Sequence, residues 1–553
     1  MRKLRMLIID NSFQGPVHLP NQLRWLEWPN CAFFPEFGYG PKKLVGLDMQ
    51  NSKIKEMPKQ FKDFEKLKFI NFGKCQSLVY MSDVSCIPNL EELNLHMCTN
   101  LEHVHDSVAN HCKLQKLNLE DCFKLQRFPD ILNKNESLRE VLLGWTSIEE
   151  LPTSIGNLVS LENLDVWNCQ QLQEIPKIPR KLRRLKANDC ESLTRILSNI
   201  CDVGDFNLEE LDVLNCQQLQ EIPNIPRKLR RLQANDCKSL TRVFSNIYDV
   251  GDFDLEELDV SHCQQLQEIP KIPRKLRRLQ ANDCKSLTRI LSNICDVGNF
   301  DLEELDVSYC QQLQEIPKIP RKLRRLKAND CESLTRILSN MCDVGDFDLE
   351  ELDANDCESL TRILSNISDI GDFDLEELDV SNCQQLQEIP KIPRKLRRLQ
   401  ANDCKSLTRI LSNICDIGDF DLEELDKSLY ICDVGDFDLE ELDVLYCQQL
   451  QEIPKIPRKL RRLKANDCES LTRILSNICD IGDFDLEELD VSYCQQLQEI
   501  PNISRKLRRL QTNDCESLTR IFSNICDVGD FDLEELDVFV LPTTTEDPKI
   551  PRN

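Results

Sequence analysis

Twenty-eight cysteines and six histidines lie along the 553 residues, with 95 acidic side chains. Those residue types could make disulfides, zinc sites, thiol nucleophiles or acid–base pairs, and the spacing decides among them. No C-x-x-C pair occurs, so the ligand spacing of a zinc site is missing. One cysteine column, including Cys216, Cys237, Cys263 and Cys284, returns at a fixed place in a repeated sequence. A second runs through Cys201, Cys295, Cys342, Cys415, Cys432, Cys479 and Cys526, but Tyr248 and Ser368 replace it in two copies. A required disulfide partner or metal ligand would not tolerate those replacements. The thiols therefore read as reduced and structural, which suits the cytoplasm, or the nucleus. His103, His105 and His111, with Cys112, form the one histidine cluster in the sequence and fall on an expected return loop. The carboxylates recur as a column rather than as an isolated acid–base pair with two separated environments. G-x-S-x-G, G-x-G-x-x-G and G-x-x-x-x-G-K-[ST] are all absent. No catalytic residue, cofactor or metal ligand is assigned, and the expectation is a non-enzymatic protein.

The elements that would hold any site come from a period of 47 residues. Leu-Glu-Glu-Leu-Asp begins at Leu208, Leu255 and Leu302, and again at Leu375, Leu439, Leu486 and Leu533, with Leu-Glu-Asn-Leu-Asp at Leu161. Each block contains two units of one pattern. The first is Leu208-x-x-Leu211-x-Val213-x-x-Cys216-x-x-Leu219, and the second is Leu229-x-x-Leu232-x-Ala234-x-x-Cys237-x-x-Leu240. This is the leucine-rich repeat pattern of a short strand, a turn and a return path. Alternate strand residues face opposite ways, so Leu211 and Val213 point inward while Glu210, Asp212 and Leu214 point outward. One unit cannot bury its inner face alone, but stacked units share a core. Divergent starts at Leu4, Leu23, Leu44, Leu67, Leu90, Leu114 and Leu138 bring the total to 24 through Leu533.

The expected fold is an α/β solenoid, a leucine-rich repeat horseshoe with a parallel concave β-sheet and an irregular or short-helical convex side. Residues 1–160 form divergent N-terminal repeats. Residues 161–540 form tandem double repeats, irregular at 349–374 and 422–438, and 541–553 form a tail. On the return side, Pro223 and Pro226 favour an extended path, whereas Ser239–Asn246 could form a short helix or 3₁₀ turn. No apolar run is long enough for a membrane helix. The start at Met1 is no signal peptide, because its apolar run is short and already fits a repeat. The net charge of −26 disfavours nucleic acid and anionic membrane as partners. The Arg227-Lys228-Leu229-Arg230-Arg231 run sits among carboxylates and does not reverse that conclusion.

Outward strand positions are the expected binding surface. Units alternate between acidic pairs (Glu210 and Asp212, Glu257 and Asp259) and basic or amide pairs (Arg231 and Gln233, Arg325 and Lys327). Laterally, this makes a self-neutralising ladder. Lys186, Lys327 and Lys464 occur with Glu191, Glu332 and Glu469, while Gln233, Gln280 and Gln400 occur with Lys238, Lys285 and Lys405; Gln511 with Glu516 departs from the rule. The alternation breaks after Leu349 and between Leu422 and Leu439, predicting acidic patches at both joins and a distortion near Lys427–Asp436. The two residues before the repeat cysteine vary while the framework stays fixed: Trp167-Asn168, Leu214-Asn215, Ser261-His262, Ser308-Tyr309, Ser381-Asn382, Leu445-Tyr446 and Ser492-Tyr493. Aromatic side chains there suit protein recognition. Drift at unconstrained surface positions is the competing explanation.

Several stretches resemble a known family. Leu4–Asn11, Leu19–Trp28, Pro41–Leu47 and Phe64–Ile70 are similar to the first leucine-rich repeats of plant intracellular TIR-NB-LRR disease resistance proteins. Pro88-Asn89-Leu90-Glu91-Glu92-Leu93 with Cys98-Thr99-Asn100-Leu101, and Leu172-Gln173-Glu174-Ile175-Pro176, continue the likeness. The resemblance implies an immune receptor whose repeats sense a pathogen effector or a host protein. Its TIR domain acts on NAD, and its NB-ARC domain binds ADP or ATP and is a potential partner of the repeats. This sequence contains no TIR segment and no phosphate loop, so none of those residues carries over. The family's domain after the repeats is likewise not recognised, leaving both ends of the solenoid poorly capped. The expected function is protein recognition in plant defence. The alternative is a truncated, non-signalling scaffold, decoy or pseudogene product.

Overall fold

The computed structural model describes residues 4–537 apart from 10–17, 57–58, 176–177, 197–205, 223–224, 244–252, 270–271, 291–299, 317–319, 338–347, 364–373, 390–394, 411–437, 454–456, 475–484, 501–505 and 522–533. The chain divides into two compact units, Met1–Leu276 and Arg277–Asn553. Both are built from the same two-step element. A three-residue strand opens each described repeat, and in most a two-residue strand follows on the return side; the repeats opened by Gly46–Asp48, Lys116–Asn118 and Glu140–Leu142 carry a 3₁₀ segment or isolated bridges there instead. Every repeat start except Leu422, which lies outside the described residues, is followed by a front strand.

In the first unit the front strands run from Met6–Ile8 through Trp25–Glu27 and Gly46–Asp48 to Glu257–Asp259, each parallel to the next. In the second they run from Arg278–Gln280 to Glu535–Asp537, again parallel and in register. Between the two terminal strands their central residue is inward: Leu211, Leu232 and Leu258 are buried, as are Leu305, Leu326 and Leu352, whereas Leu536 on the last strand is exposed. The expected parallel sheet and inward leucines are therefore present. The core of the divergent repeats is more aromatic. Phe61 and Phe64, on and just after the 3₁₀ segment Lys59–Asp63, meet Phe34, Phe37 and Phe72 at ring-centroid distances of 5.1–6.5 Å.

The return side contains less helix than expected. Among the described residues it has two 3₁₀ segments, Lys59–Asp63 and Thr153–Asn157. Elsewhere it is a series of short parallel strands. The helix considered for Ser239–Asn246 gives way to the strand Arg242–Val243, which pairs with Glu221–Ile222; residues 244–246 lie outside the description. The physical reason is the neighbour. Isoleucine at 222 and valine at 243 are β-branched, both buried and in register, and such side chains pack well on a pleated surface. His103 also stands on a return strand, His103–Val104, rather than on a loop.

The cysteine column has a defined role. Cys216 Sγ donates to the carbonyl of Ala187, and Cys237 Sγ to that of Val213, both at 3.1 Å. The same bond recurs from Cys98 to Cys515. The small side chain thus reaches back to the preceding repeat and ties the stack together. The described cysteines are free thiols, and burial pushes Cys169 up to about 11 and Cys494 up to about 12, so these thiols stay protonated and poorly nucleophilic. The second cysteine column lies outside the described residues.

Candidate recognition edge

The variable pair of each repeat sits in the turn after the front strand, one step beyond the strand end where the sequence alone places it. Two hydrogen bonds build this turn. The strand's terminal Asp accepts from the first turn residue: Asp212 Oδ1 from the Leu214 amide, Asp259 from Ser261, Asp306 from Ser308 and Asp490 from Ser492, at 3.0–3.1 Å. Asp of Leu-Asp-Val is thus an Asx-turn former. The second turn residue then donates to the next repeat: Tyr309 N to Asn329 O at 2.6 Å, Tyr446 N to Asn466 O at 2.8 Å, and Tyr493 N to Asn513 O at 2.6 Å. That second residue has positive φ throughout, 63° at Tyr309, 59° at Tyr446 and 63° at Tyr493.

This geometry sorts the candidate residues. Ser261, Ser308, Ser492 and Asn168 are buried, so they do not form a contact surface as expected. The serine hydroxyls at 308 and 492 instead accept from the Asn329 and Asn513 amides. Asn215 is tied to Asp189 through its side-chain amide at 2.9 Å. Trp167, Leu214, His262, Asn382 and Leu445 are half-buried. Tyr309, Tyr446 and Tyr493 are the residues of the group that stand out, at 52%, 53% and 45% exposure. The Tyr309 hydroxyl faces the Asp330 carboxylate, whose charge raises the phenol above its ordinary range.

Where the divergent repeats meet the duplicated ones, the same edge holds two residues that the sequence comparison missed, Phe123 and Trp145. With the candidate Trp167 they come from three successive repeats and pack edge to face, with ring centroids 6.2 and 5.7 Å apart. Phe123 and Trp145 are exposed, and Trp145 has φ of 57°. Comparing copies around Leu-Asp-Val hides them, because Leu-Leu-Gly precedes Trp145 and Thr146 takes the cysteine place. The His cluster does not converge on a ligand. His111 is buried, accepts at Nδ1 from the Lys113 and Leu114 amides and so donates from Nε2 to the Ile87 carbonyl at 2.9 Å.

On the strand faces, the alternating ladder is a set of ion pairs. Arg231 meets Glu257 at 2.7 Å, Arg230 meets Glu256 at 2.8 Å, and Arg462 meets Glu488 at 3.5 Å. These side chains are largely solvated, so each pair adds little to stability. Opposite charges offset one another across the face. At the first join, Glu351 lies in register with Glu377 and Asp353 with Asp379, the acidic step expected from the broken alternation. On the return side, Arg336 lies beside Arg362. At the second join, Arg398–Gln400 pairs directly with Glu441–Asp443, and Arg398 meets Glu441 at 3.0 Å. Opposite charges therefore meet there, where an acidic patch was expected. The distortion predicted for Lys427–Asp436 lies outside the described residues.

A family model for plant disease resistance proteins, RPS2-like leucine-rich repeats, matches residues 223–358. Over that stretch the chain is similar to the leucine-rich repeats of plant disease resistance proteins. Over 138 residues the chain is 35% identical to Protein SUPPRESSOR OF npr1-1, CONSTITUTIVE 1 of Arabidopsis thaliana, covering 24% of this chain and 10% of that one. It is 31% identical over 136 residues to TMV resistance protein N of Nicotiana glutinosa, covering 23% and 12%. It is 36% identical over 110 residues to Disease resistance protein RPV1 of Vitis rotundifolia, covering 20% and 8%. The matching repeats span about a tenth of the length of these curated relatives. Among solved structures, YopM from Yersinia enterocolitica WA-314 is similar at 19% identity and a TM-score of 0.41, over 97% of this chain and 91% of that one. The matching family model describes a repeat and no enzymatic family. Among the described residues, no helix is long and apolar enough to cross a membrane.

Proposed function

We propose that these leucine-rich repeats are a protein-recognition region of a plant immune receptor, contacting a pathogen effector or a host protein in the cytoplasm or nucleus. An NB-ARC domain would be an additional, intramolecular partner in a complete receptor. One observation carries this reading. Tyr309, Tyr446 and Tyr493 occupy a left-handed backbone position that disfavours bulky side chains, yet each is exposed. The corresponding place in the alternate units is Asp at 283, 330, 356, 403, 467 and 514, a residue suited to that conformation. Free drift would favour Asn or Asp at the tyrosine positions too. Stacking clamps the backbone through the amide bonds to Asn329, Asn466 and Asn513, so the rings project from a rigid support, as interface anchors do.

Proximity labelling in leaf cells tests the reading. The full chain and a Tyr309→Ala, Tyr446→Ala, Tyr493→Ala variant would each carry the label. A defined neighbour should be marked by the first and lost with the second at equal expression. An identical set of marked neighbours would remove this edge from recognition.

A further inference from the structure

In the second unit the turn edge has a chemical pattern beyond the bare presence of tyrosine. The strands Glu441–Asp443, Arg462–Lys464, Glu488–Asp490 and Arg509–Gln511 are successive neighbours. Their turns therefore present Tyr446, Asp467, Tyr493 and Asp514 in a row, all with positive φ. The two tyrosines are separated by two strand steps, about 9.6 Å. Asp467 lies between them. In the copies at 283 and 403, a lysine two residues on stands 4.0 and 3.9 Å from the aspartate. Glu469 takes that lysine's place beside Asp467, and Glu516 does so beside Asp514.

Among the described residues, no cation lies within ion-pair distance of Asp467. Burial, Glu469 and Asp490 all raise its carboxyl above the ordinary range. Lys464, on the strand of the same repeat, acts on Asp443, where it offsets part of the upward shift that burial imposes on that carboxyl. The edge thus offers two exposed aromatic faces and carboxylates lacking a cation of their own.

We propose that Tyr446, Asp467 and Tyr493 seat an extended basic protein segment that crosses the strands, with Lys or Arg at every third residue. The spacing supports this occupant. A polyproline-type chain advances about 9.3 Å in three residues, so cations one turn apart reach the two rings. Cation–π attraction acts at each tyrosine, and the Asp467 carboxylate neutralises charge between them. The net charge of −26 assists the encounter with a basic chain. This inference rests on the protein-recognition reading and supplies its partner class.

The test is fluorescence polarisation of the full chain with a labelled peptide of Pro-Pro-Arg triplets, compared with Pro-Pro-Glu triplets. The arginine peptide should bind and the glutamate peptide should not. Tyr446→Ala with Tyr493→Ala should weaken binding about tenfold, and raised salt should weaken it further. Tyr446→Phe with Tyr493→Phe should retain binding, because the ring face remains. Tyr80→Ala should leave it unchanged, since that exposed tyrosine stands on the return strand Tyr80–Met81, away from the turn edge. Equal binding of both peptides, no binding of the arginine peptide, or full binding by the folded double-alanine variant would each overturn the proposal. If the leaf-cell neighbour still depends on the tyrosines while the arginine peptide fails, the basic segment falls and protein recognition stands. If the peptide binds as expected but labelling ignores the tyrosines, the wider reading falls and the edge chemistry stands.

Discussion

The turn edge is built differently in the divergent repeats and in the duplicated ones. At the boundary of the divergent region, Phe123 and Trp145 pack in series with Trp167 of the first duplicated repeat. In the duplicated region Tyr446 and Tyr493 are separated by Asp467. The difference follows from where each ring stands in its repeat. Trp145 holds the left-handed turn position, but Phe123 comes two residues after its repeat's left-handed Asp121 and Trp167 one residue before Asn168, and these rings from adjacent strands, about 4.8 Å apart, meet. In the duplicated block the tyrosines hold one and the same place at every second repeat, with the alternate unit's aspartate between. The first arrangement joins apolar surface within the chain. The second leaves ring faces open and charge beside them.

The sharpest way to break this comparison is to remove one ring from each edge. Trp145 has a ring on both sides, and aromatic pairs of this kind contribute about 0.5–1.5 kcal/mol each. Trp145→Ala should therefore cost about 1–3 kcal/mol in local stability, measured by hydrogen exchange across residues 116–169. Tyr446 has no ring partner among the described residues, so Tyr446→Ala should cost less than about 0.5 kcal/mol. Equal losses would mean that the two edges are alike. Gly144→Ala attacks the same stack without removing a ring. A methyl there would lie 2.1 Å from Trp167 Nε1, and the half-buried indole must swing away at a cost of about 1–2 kcal/mol. Tryptophan fluorescence should shift with it; an unchanged spectrum would place Trp167 elsewhere.

Much of the framework was legible because a repeat states its rules many times. Leu211, Leu232 and Leu258 are inward because alternation leaves them no other face, and the Arg231–Glu257 pair follows from lateral register. The failures have a common cause. They depend on bonds between repeats, which a single unit does not display. Ser308 and Ser492 read as surface until the next repeat's amide reaches their hydroxyls. The cysteine column reads only as reduced, structural thiols until they meet the carbonyls behind. Arg242–Val243 could be helical until Glu221–Ile222 stands beside it. The tyrosines were legible as variable aromatics, but their left-handed backbone was not, and that backbone is what argues against drift.

A smaller contrast lies inside the divergent repeats. His111 and Asn135 occupy equivalent places and do the same work: Nδ1 of one and Oδ1 of the other each accept two successive amides. Only the histidine titrates. Burial holds its pKa below the usual 6.5, so the fold favours the neutral ring. The stabilisation is complete above the unfolded value, and it is lost as pH falls below 6.5 through the lower folded value. A proton on Nδ1 would abolish that acceptor. Protection of the Lys113 and Leu114 amides should decrease between pH 7 and pH 5. His111→Asn should remove the pH dependence while keeping protection at neutral pH. A dependence that survives the substitution would assign it to another group.

The smallest effect concerns the acidic step, where the duplicated ladder departs from its own rule. Asp353 and Asp379 lie in register. The carboxyl of Asp353 is raised by burial first and by Asp379 among the charges around it. For an acid raised on folding, ionisation opposes the fold. Its stabilising effect is greatest at low pH and is lost as pH rises above the ordinary carboxylate value through the raised one. Asp379→Asn removes the facing charge and keeps an oxygen for the Ser381 amide, which Asp379 Oδ1 accepts at 2.9 Å. At neutral pH the variant should therefore be more stable by about 0.2–1 kcal/mol, with the gain vanishing as the solution is acidified. Asp306→Asn is the control. Its lateral neighbour is Lys327, so the same substitution should yield no gain and a slight loss. Urea unfolding of the two variants at neutral and acid pH separates the cases. A gain at both positions would mean that general self-repulsion of a −26 chain, and not the local register, sets the cost of the step.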